Sequence, residues 1–153
     1  MNTEEALKTE LYEFCEKYVE ERISRLQSSI NSMVDSLKAE TKSSAGDKHE
    51  TGRAMIQLER EKLGHQLYEA EKMKQVMSGI TTVFKPTHVG LGSLVITSEG
   101  TFFISISAGA YKNGANLVYC ISALSPIGKQ LLGQSVGDCF DFNQKKICIK
   151  KLI

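Results

Sequence analysis

Tryptophan is absent, and no apolar run approaches the roughly 18 residues that a membrane-spanning helix needs. The opening residues Met1-Asn2-Thr3-Glu4-Glu5 are polar and acidic, with no apolar stretch behind them, so no secretory signal is expected. These absences predict a soluble, cytoplasmic protein with no membrane partner. Cysteine is sparse: Cys15, Cys120, Cys139 and Cys148 form no C-x-x-C pair and have no histidine cluster beside them. Neither a structural zinc site nor a disulfide framework is supported, and the expectation is buried free thiols. The three histidines, His49, His65 and His88, are scattered, which favours surface positions over a metal site or a catalytic base. There is no G-x-S-x-G elbow, no G-x-x-x-x-G-K-[ST] phosphate loop and no H-E-x-x-H, so no enzyme of its own is expected.

The net charge is only +1, which excludes the strongly basic footprint of a duplex-DNA binder. It conceals an asymmetry: residues 1–78 carry 12 basic and 15 acidic side chains, a balance of −3, and residues 79–153 carry 7 and 3, a balance of +4. The first half reads as solvated helix. The second half suits either an ordinary soluble surface, the plainer reading, or an acidic partner.

From Glu4 to Thr41 there is neither glycine nor proline. Leu7, Leu11, Phe14, Tyr18, Val19, Ile23, Leu26, Ile30, Met33 and Leu37 recur at steps of three and four, with one slip at Tyr18-Val19. That is the narrow seam of a coiled coil. At about 1.5 Å per residue such a helix is roughly 57 Å long, too long to be buried in a domain this small, so it should project. Lys42-Ser43-Ser44-Ala45-Gly46-Asp47 is turn chemistry. A second stripe follows in Ile56, Leu63, Leu67, Ala70 and Met77, with Gly64 costing about 1 kcal/mol relative to alanine. Two long helices joined by a short turn pack antiparallel. Residues 1–79 are therefore expected to form a coiled-coil hairpin with its tip near 43–50.

After Ser78-Gly79 the period changes. Thr81–Pro86 reads as a linker. Ser93–Thr97 and Thr101–Ile106, separated by Ser98-Glu99-Gly100, read as a β-hairpin. Asn113-Gly114 marks a turn before an extended Asn116–Ile121. Ser125 is placed as the N-cap of a short helix, with Pro126 in its first turn and Gly133 ending it. Asp138–Asn143 and Lys146–Leu152 complete the pattern as two strands about a tight polar turn. The fold class expected is α+β: a long antiparallel helical hairpin over 1–79, then a small antiparallel sheet domain with a short helix over 80–153.

One pair of residues at the tip invites chemistry. Asp47 and Glu50, three apart at the start of the second helix, point to one side. Asp47-x-x-Glu50 is equally a capping box, and carboxylates favour a helix N-terminus in any case. Spacing alone prefers the cap. Position tilts the balance, because carboxylates at a hairpin end are not needed for a core.

The stretch Gly46-Asp47-Lys48-His49-Glu50-Thr51-Gly52-Arg53-Ala54 resembles the hairpin tip of the bacterial Gre-type transcription elongation factors, the GreA/GreB-like transcript-cleavage family. The tip of that family typically reads Gly-Asp-Leu-x-Glu-Asn-Ala-Glu-Tyr. Here Lys48 replaces the leucine, Thr51 the asparagine, and the Glu-Tyr pair is missing. The segment Ser125-Pro126-Ile127-Gly128-Lys129-Gln130-Leu131-Leu132-Gly133, with Val136-Gly137-Asp138 after it, is similar to a second and more specific signature of the same family. The resemblance extends over nearly the whole chain.

It implies an FKBP-like second domain and RNA polymerase as partner, with nascent RNA or DNA involved only indirectly. The hairpin would enter the polymerase secondary channel, and Ser125, Pro126, Ile127 and Gly128 would bind the polymerase. Asp47 and Glu50, with Ser44 or His49 assisting, would help hold a second Mg²⁺ shared with the polymerase and orient water for cleavage of a backtracked transcript. On this reading the free protein is a monomer that holds no stable metal, and the chemistry belongs to the polymerase. Lys48 raises an alternative, a secondary-channel regulator that does not stimulate cleavage. An FKBP-like prolyl isomerase is a weaker alternative, since it needs an aromatic-lined pocket and the aromatics of this half sit where strands would use them as core. A plain coiled-coil scaffold would leave the Ser125–Gly133 segment unexplained.

Overall fold

The computed structural model describes residues 3–41, 47–83 and 85–153, with the side chains of 40–41 and 47–50 left aside. Two long helices come first: α1 spans Thr3–Thr41 and α2 spans Asp47–Ser78. Six strands and one short helix follow: β1 Leu94–Thr97, β2 Gly100–Ser105, β3 Gly109–Asn113, β4 Asn116–Ser122, α3 Pro126–Leu131, β5 Cys139–Phe142 and β6 Lys145–Leu152. The expected α+β class, a helical hairpin followed by a sheet domain, is what the chain forms. It divides into two compact units, Val19–Lys74 and Met1–Tyr18 with Gln75–Ile153. None of the described helices is long and apolar enough to cross a membrane.

In the first of these units the apolar seams carry the packing. Ile23, Leu26, Ile30, Met33 and Leu37 of α1 are half-buried, as are Ile56, Leu63 and Leu67 of α2, and Val19 and Ala70 are fully buried. Gln66 of α2 lies beside Arg22, Leu26 and Ser29 of α1, which is the antiparallel arrangement the short connection requires. Such seams stabilise long helices that propensity alone would leave marginal.

In the sheet unit the strand order is β3-β4-β2-β1-β6-β5. β1–β2, β1–β6, β3–β4 and β5–β6 pair antiparallel, whereas β2–β4 pair parallel, from Phe102↔Tyr119 to Ser105↔Ser122. The parallel pair arises because the β3–β4 hairpin docks through its second strand. β4 buries Val118 and Cys120, while Gly109-Ala110-Tyr111-Lys112-Asn113 offers no buried side chain and is left at the edge. One core cluster gathers Val89, Val95, Phe102, Ile104, Leu131 and Ile149, with Ile127 and Phe140 packed against it. Each fully buried aliphatic side chain stabilises by roughly 1.5–3 kcal/mol.

The start of α1 belongs to this unit. Leu11 and Cys15 are buried, and Cys15 Sγ lies 3.5 Å from Ser105 Oγ. The Phe14 and Tyr111 rings meet edge-on at 5.2 Å. Tyr111 OH and Asn113 Nδ2 donate to Glu10 Oε2 at 2.7 and 3.1 Å. The buried Lys8 ammonium donates to Ile153 O at 3.2 Å, and Lys151 pairs with Glu4. Desolvation by burial lowers the pKa of Lys8.

The cysteine expectation is half corrected. Cys15 and Cys120 are buried free thiols, but Cys139 and Cys148 form a disulfide. The cause is register. Asn143 and Gln144 both take positive φ, 49° and 66°, the signature of a two-residue type I′ turn. That turn sets Cys139 directly opposite Cys148. Ile149 N donates to Asp138 O at 2.9 Å, outside the cysteine pair, so the two cysteines form a non-hydrogen-bonded pair with Cα atoms 4.1 Å apart.

Candidate functional site

Two places were singled out by sequence. At the first, α2 begins at Asp47, so the backbone places Asp47 and Glu50 together on its first turn. Their side chains, with those of Lys48 and His49, lie outside the described residues, and Ser44 lies outside them altogether. Among the described residues no group of three or more His, Cys, Asp or Glu is placed to hold a metal ion.

The second place is α3 and its flanks. Ser125 is the N-cap: its Oγ accepts from Gly128 N at 3.1 Å and donates to Ser122 O at 2.7 Å. Pro126 opens the helix, where a missing N–H costs nothing. Gly133, at φ +82°, turns the chain away, and its N–H donates to Val89 O at 2.9 Å. Val89 N in turn donates to Gln134 O at 2.8 Å, so the helix exit is tied to the segment before β1. Asp138 closes the next turn, its Oδ2 accepting from Ser135 N at 2.7 Å.

Gly128 is buried for a steric reason. A Cβ there would lie 2.2 Å from Ser122 O, 2.8 Å from Ser125 Oγ and 3.1 Å from the Ala123 carbonyl carbon. Within the expected binding set, Gly128 and the Ser125 hydroxyl therefore shape the segment, Ile127 packs half-buried on the core, and Pro126 is exposed. Three further residues beside α3 turn apolar surface to solvent: Leu124 at 78% exposure, Val136 at 57% and Leu132 at 40%. The sequence motif contains Leu132 and Val136 without marking them as exposed and leaves Leu124 out, although Leu124 and Leu132 flank the helix at positions where a single turn and a half has no inner face left to bury them.

The sheet unit also contains a cleft of about 610 Å³ between the start of α1 and strands β1, β2 and β4. Leu7, Leu94 and Ile96 contribute apolar lining, and among the described residues Tyr119 is the one aromatic that lines it. All three of its lining carboxylates already have partners: Glu10 with Tyr111 and Asn113, Glu4 with Lys151, and Glu99 with Lys145. A prolyl isomerase needs an aromatic-walled pocket, and this cleft does not supply one.

No protein-family profile matches this chain, and no curated protein matches it. Among solved structures, that of the transcription factor Gfh1 is similar, with 19% sequence identity over 90% of this chain and 92% of that one and a TM-score of 0.36.

Proposed function

We propose that this chain is a transcription elongation factor of the Gre type, which binds RNA polymerase and presents Asp47 and Glu50 to the polymerase active centre. The observation that carries the reading is the pairing of two motifs with the elements they need. The acidic pair opens the second helix of a long hairpin, and the Ser125–Gly133 segment holds the capped helix α3, beside which Leu124, Leu132 and Val136 are exposed. A short apolar projection of this kind suits a protein docking face. Pro126 belongs to that face, while Ser125 and Gly128 hold it in shape.

Asp47 and Glu50 are hard oxygen ligands, the donor type that Mg²⁺ prefers. Bound between these carboxylates and the polymerase, Mg²⁺ would supply charge stabilisation for hydrolysis of a phosphodiester. The chain's own part is to deliver two carboxylates on one helical turn and to hold them there through the hairpin. A polymerase partner also implies a cytoplasmic location. Lys48, between the two carboxylates, favours a second reading in which the tip tunes the active centre without stimulating cleavage, because a cation weakens metal recruitment.

The deciding experiment is transcript cleavage on backtracked elongation complexes of the matching polymerase. Asp47→Asn and Glu50→Gln should each reduce stimulated cleavage on the order of 10²-fold while leaving polymerase binding nearly unchanged. Wild-type protein that binds but never stimulates cleavage selects the second reading. Absence of a complex at micromolar concentration removes both.

A further inference from the structure

We propose that the Cys139–Cys148 disulfide is a thiol-exchange site, and that its redox state decides whether β5 stays docked against α3. In its consequence for the polymerase this inference rests on the proposed function; in its consequence for the fold it does not.

The two cysteines are unequal. Cys148 sits in β6, inside the sheet, and is held on its far side by the β1–β2 turn: Ser98 N donates to Cys148 O, and Cys148 N donates to Ser98 Oγ, both at 3.0 Å. Cys139 is exposed at the start of β5, an edge strand of four residues that pairs with β6 and, among the described residues, with no other strand. The disulfide closes the open end of that hairpin, and the Asn143-Gln144 turn closes the other. A short edge ladder by itself is marginal.

The residue after Cys139 gives the bond its reach. Phe140 packs half-buried on the core cluster that also receives Ile127 and Leu131 of α3. Freeing Cys139 loosens Phe140, and α3 loses part of the surface on which it sits. The side of the bond that moves is therefore the side joined to the helix.

Exposed disulfides are the ones that exchange with small thiols of the glutathione class. A thiolate attacks Cys139 Sγ, the Cys139–Cys148 bond breaks, and Cys148 leaves as a thiolate that takes up a proton. A second thiol then attacks the mixed disulfide and releases Cys139, also as a protonated thiol. Two electrons pass from two small thiols, which end as one small-molecule disulfide. The buried Cys15 and Cys120 stand outside this exchange because neither is exposed.

The test uses the full chain, oxidised or treated with millimolar glutathione, with mass spectrometry to count free thiols and hydrogen exchange to read each segment. Reduction should free two additional thiols and speed amide exchange in β5 and α3 on the order of tenfold to a hundredfold, leaving β1 and β2 unchanged. The double variant Cys139→Ser, Cys148→Ser should match the reduced protein and ignore glutathione. A disulfide that resists glutathione overturns the proposal, as does reduction that leaves α3 protected or loosens the whole sheet equally. Polymerase affinity is measured on the same two states. Weaker binding after reduction supports control of the docking face. Equal binding overturns that control, and no binding in either state removes the proposed function while the exchange data still decide the switch.

Discussion

Replacing Gly128 with alanine tests whether α3 is built around a steric vacancy. In an ordinary helix interior the change would stabilise by roughly 1 kcal/mol, because glycine pays more backbone entropy on folding. At Gly128 the new Cβ would fall 2.2 Å from Ser122 O. That oxygen cannot readily retreat, since it accepts both Ser125 Oγ at 2.7 Å and Ser125 N at 3.1 Å. Moving α3 outward instead would strip the N-cap bond to Gly128 N and lift buried Leu131 from the core. Overpacking against rigid backbone costs about 2–3 kcal/mol and a lost cap about 1 kcal/mol. After subtracting the propensity gain, Gly128→Ala should destabilise by about 2–3 kcal/mol, or about 5–10 °C in melting temperature for a chain of this size. Gly64→Ala is the matched control: Gly64 is exposed in α2, and the Cβ that alanine adds there would meet nothing within 4 Å, so the same substitution should stabilise by about 0.5–1 kcal/mol. Melting is followed by near-ultraviolet dichroism of the tyrosines for the sheet unit and by far-ultraviolet dichroism for the helices. If Gly128→Ala melts at or above wild type, the steric account of α3 is wrong.

Ser125→Ala should cost about 1 kcal/mol through loss of the cap, measured by urea titration, and a neutral result would mean the Ser125–Gly128 bond contributes nothing net. Ile30→Asp or Leu63→Asp should melt the hairpin, because a charge would enter an apolar seam at a cost of about 2 kcal/mol or more; unchanged helix content in a thermal scan would rule this out. Asp47→Asn separates cap from metal ligand, since asparagine caps as well as aspartate: loss of cleavage with an unchanged melting temperature supports the ligand role, and silence in both returns the tip to a cap. Glu10 holds its pKa below the ordinary carboxylate value because the Tyr111 hydroxyl, and then the Asn113 amide, bond its charged form. The stability from that pair is present above the ordinary value and is lost as pH falls through the lowered one. Tyr111→Phe should therefore raise the Glu10 titration midpoint in an NMR pH series, and an unmoved midpoint would refute the pairing.

What the sequence discloses, it discloses through periodicity and punctuation. The seams of α1 and α2 were legible because helical spacing marks one face over many turns, and residues from Ile23 to Leu67 lie where that spacing puts them. The α3 boundaries were legible because Ser125, Pro126 and Gly133 each act locally, through a hydroxyl, a fixed φ and a tolerated positive φ. β3 was not legible. Gly109–Asn113 has no alternating apolar pattern because, as an exposed edge, it has no face to bury, and its pairing depends on β4 rather than on its own side chains. The disulfide was missed for a related reason. Its signal was symmetry about a turn: Cys139 stands four residues before Asn143, and Cys148 stands four after Gln144. Recognising that symmetry requires knowing that Asn143-Gln144 is the two-residue turn, which is a statement about register rather than composition.

The candidate site divides along the same line. Residue type alone carries the proposal for Asp47 and Glu50, two carboxylates at the start of a helix. Shape could not be read that way. Gly128 looks from sequence like a contact residue within a motif, yet it is enclosed by Ser122, Ala123 and Ser125, and it belongs to the motif because no other side chain fits there. Leu124, which lies outside the motif, and Val136, which the motif includes without marking it as exposed, are side chains left facing solvent. A short motif therefore mixes two kinds of residue, those that build a segment and those that the segment presents. Substitution separates them: loss at Gly128 should appear first in the melting temperature, and loss at Leu124 only in affinity for the partner.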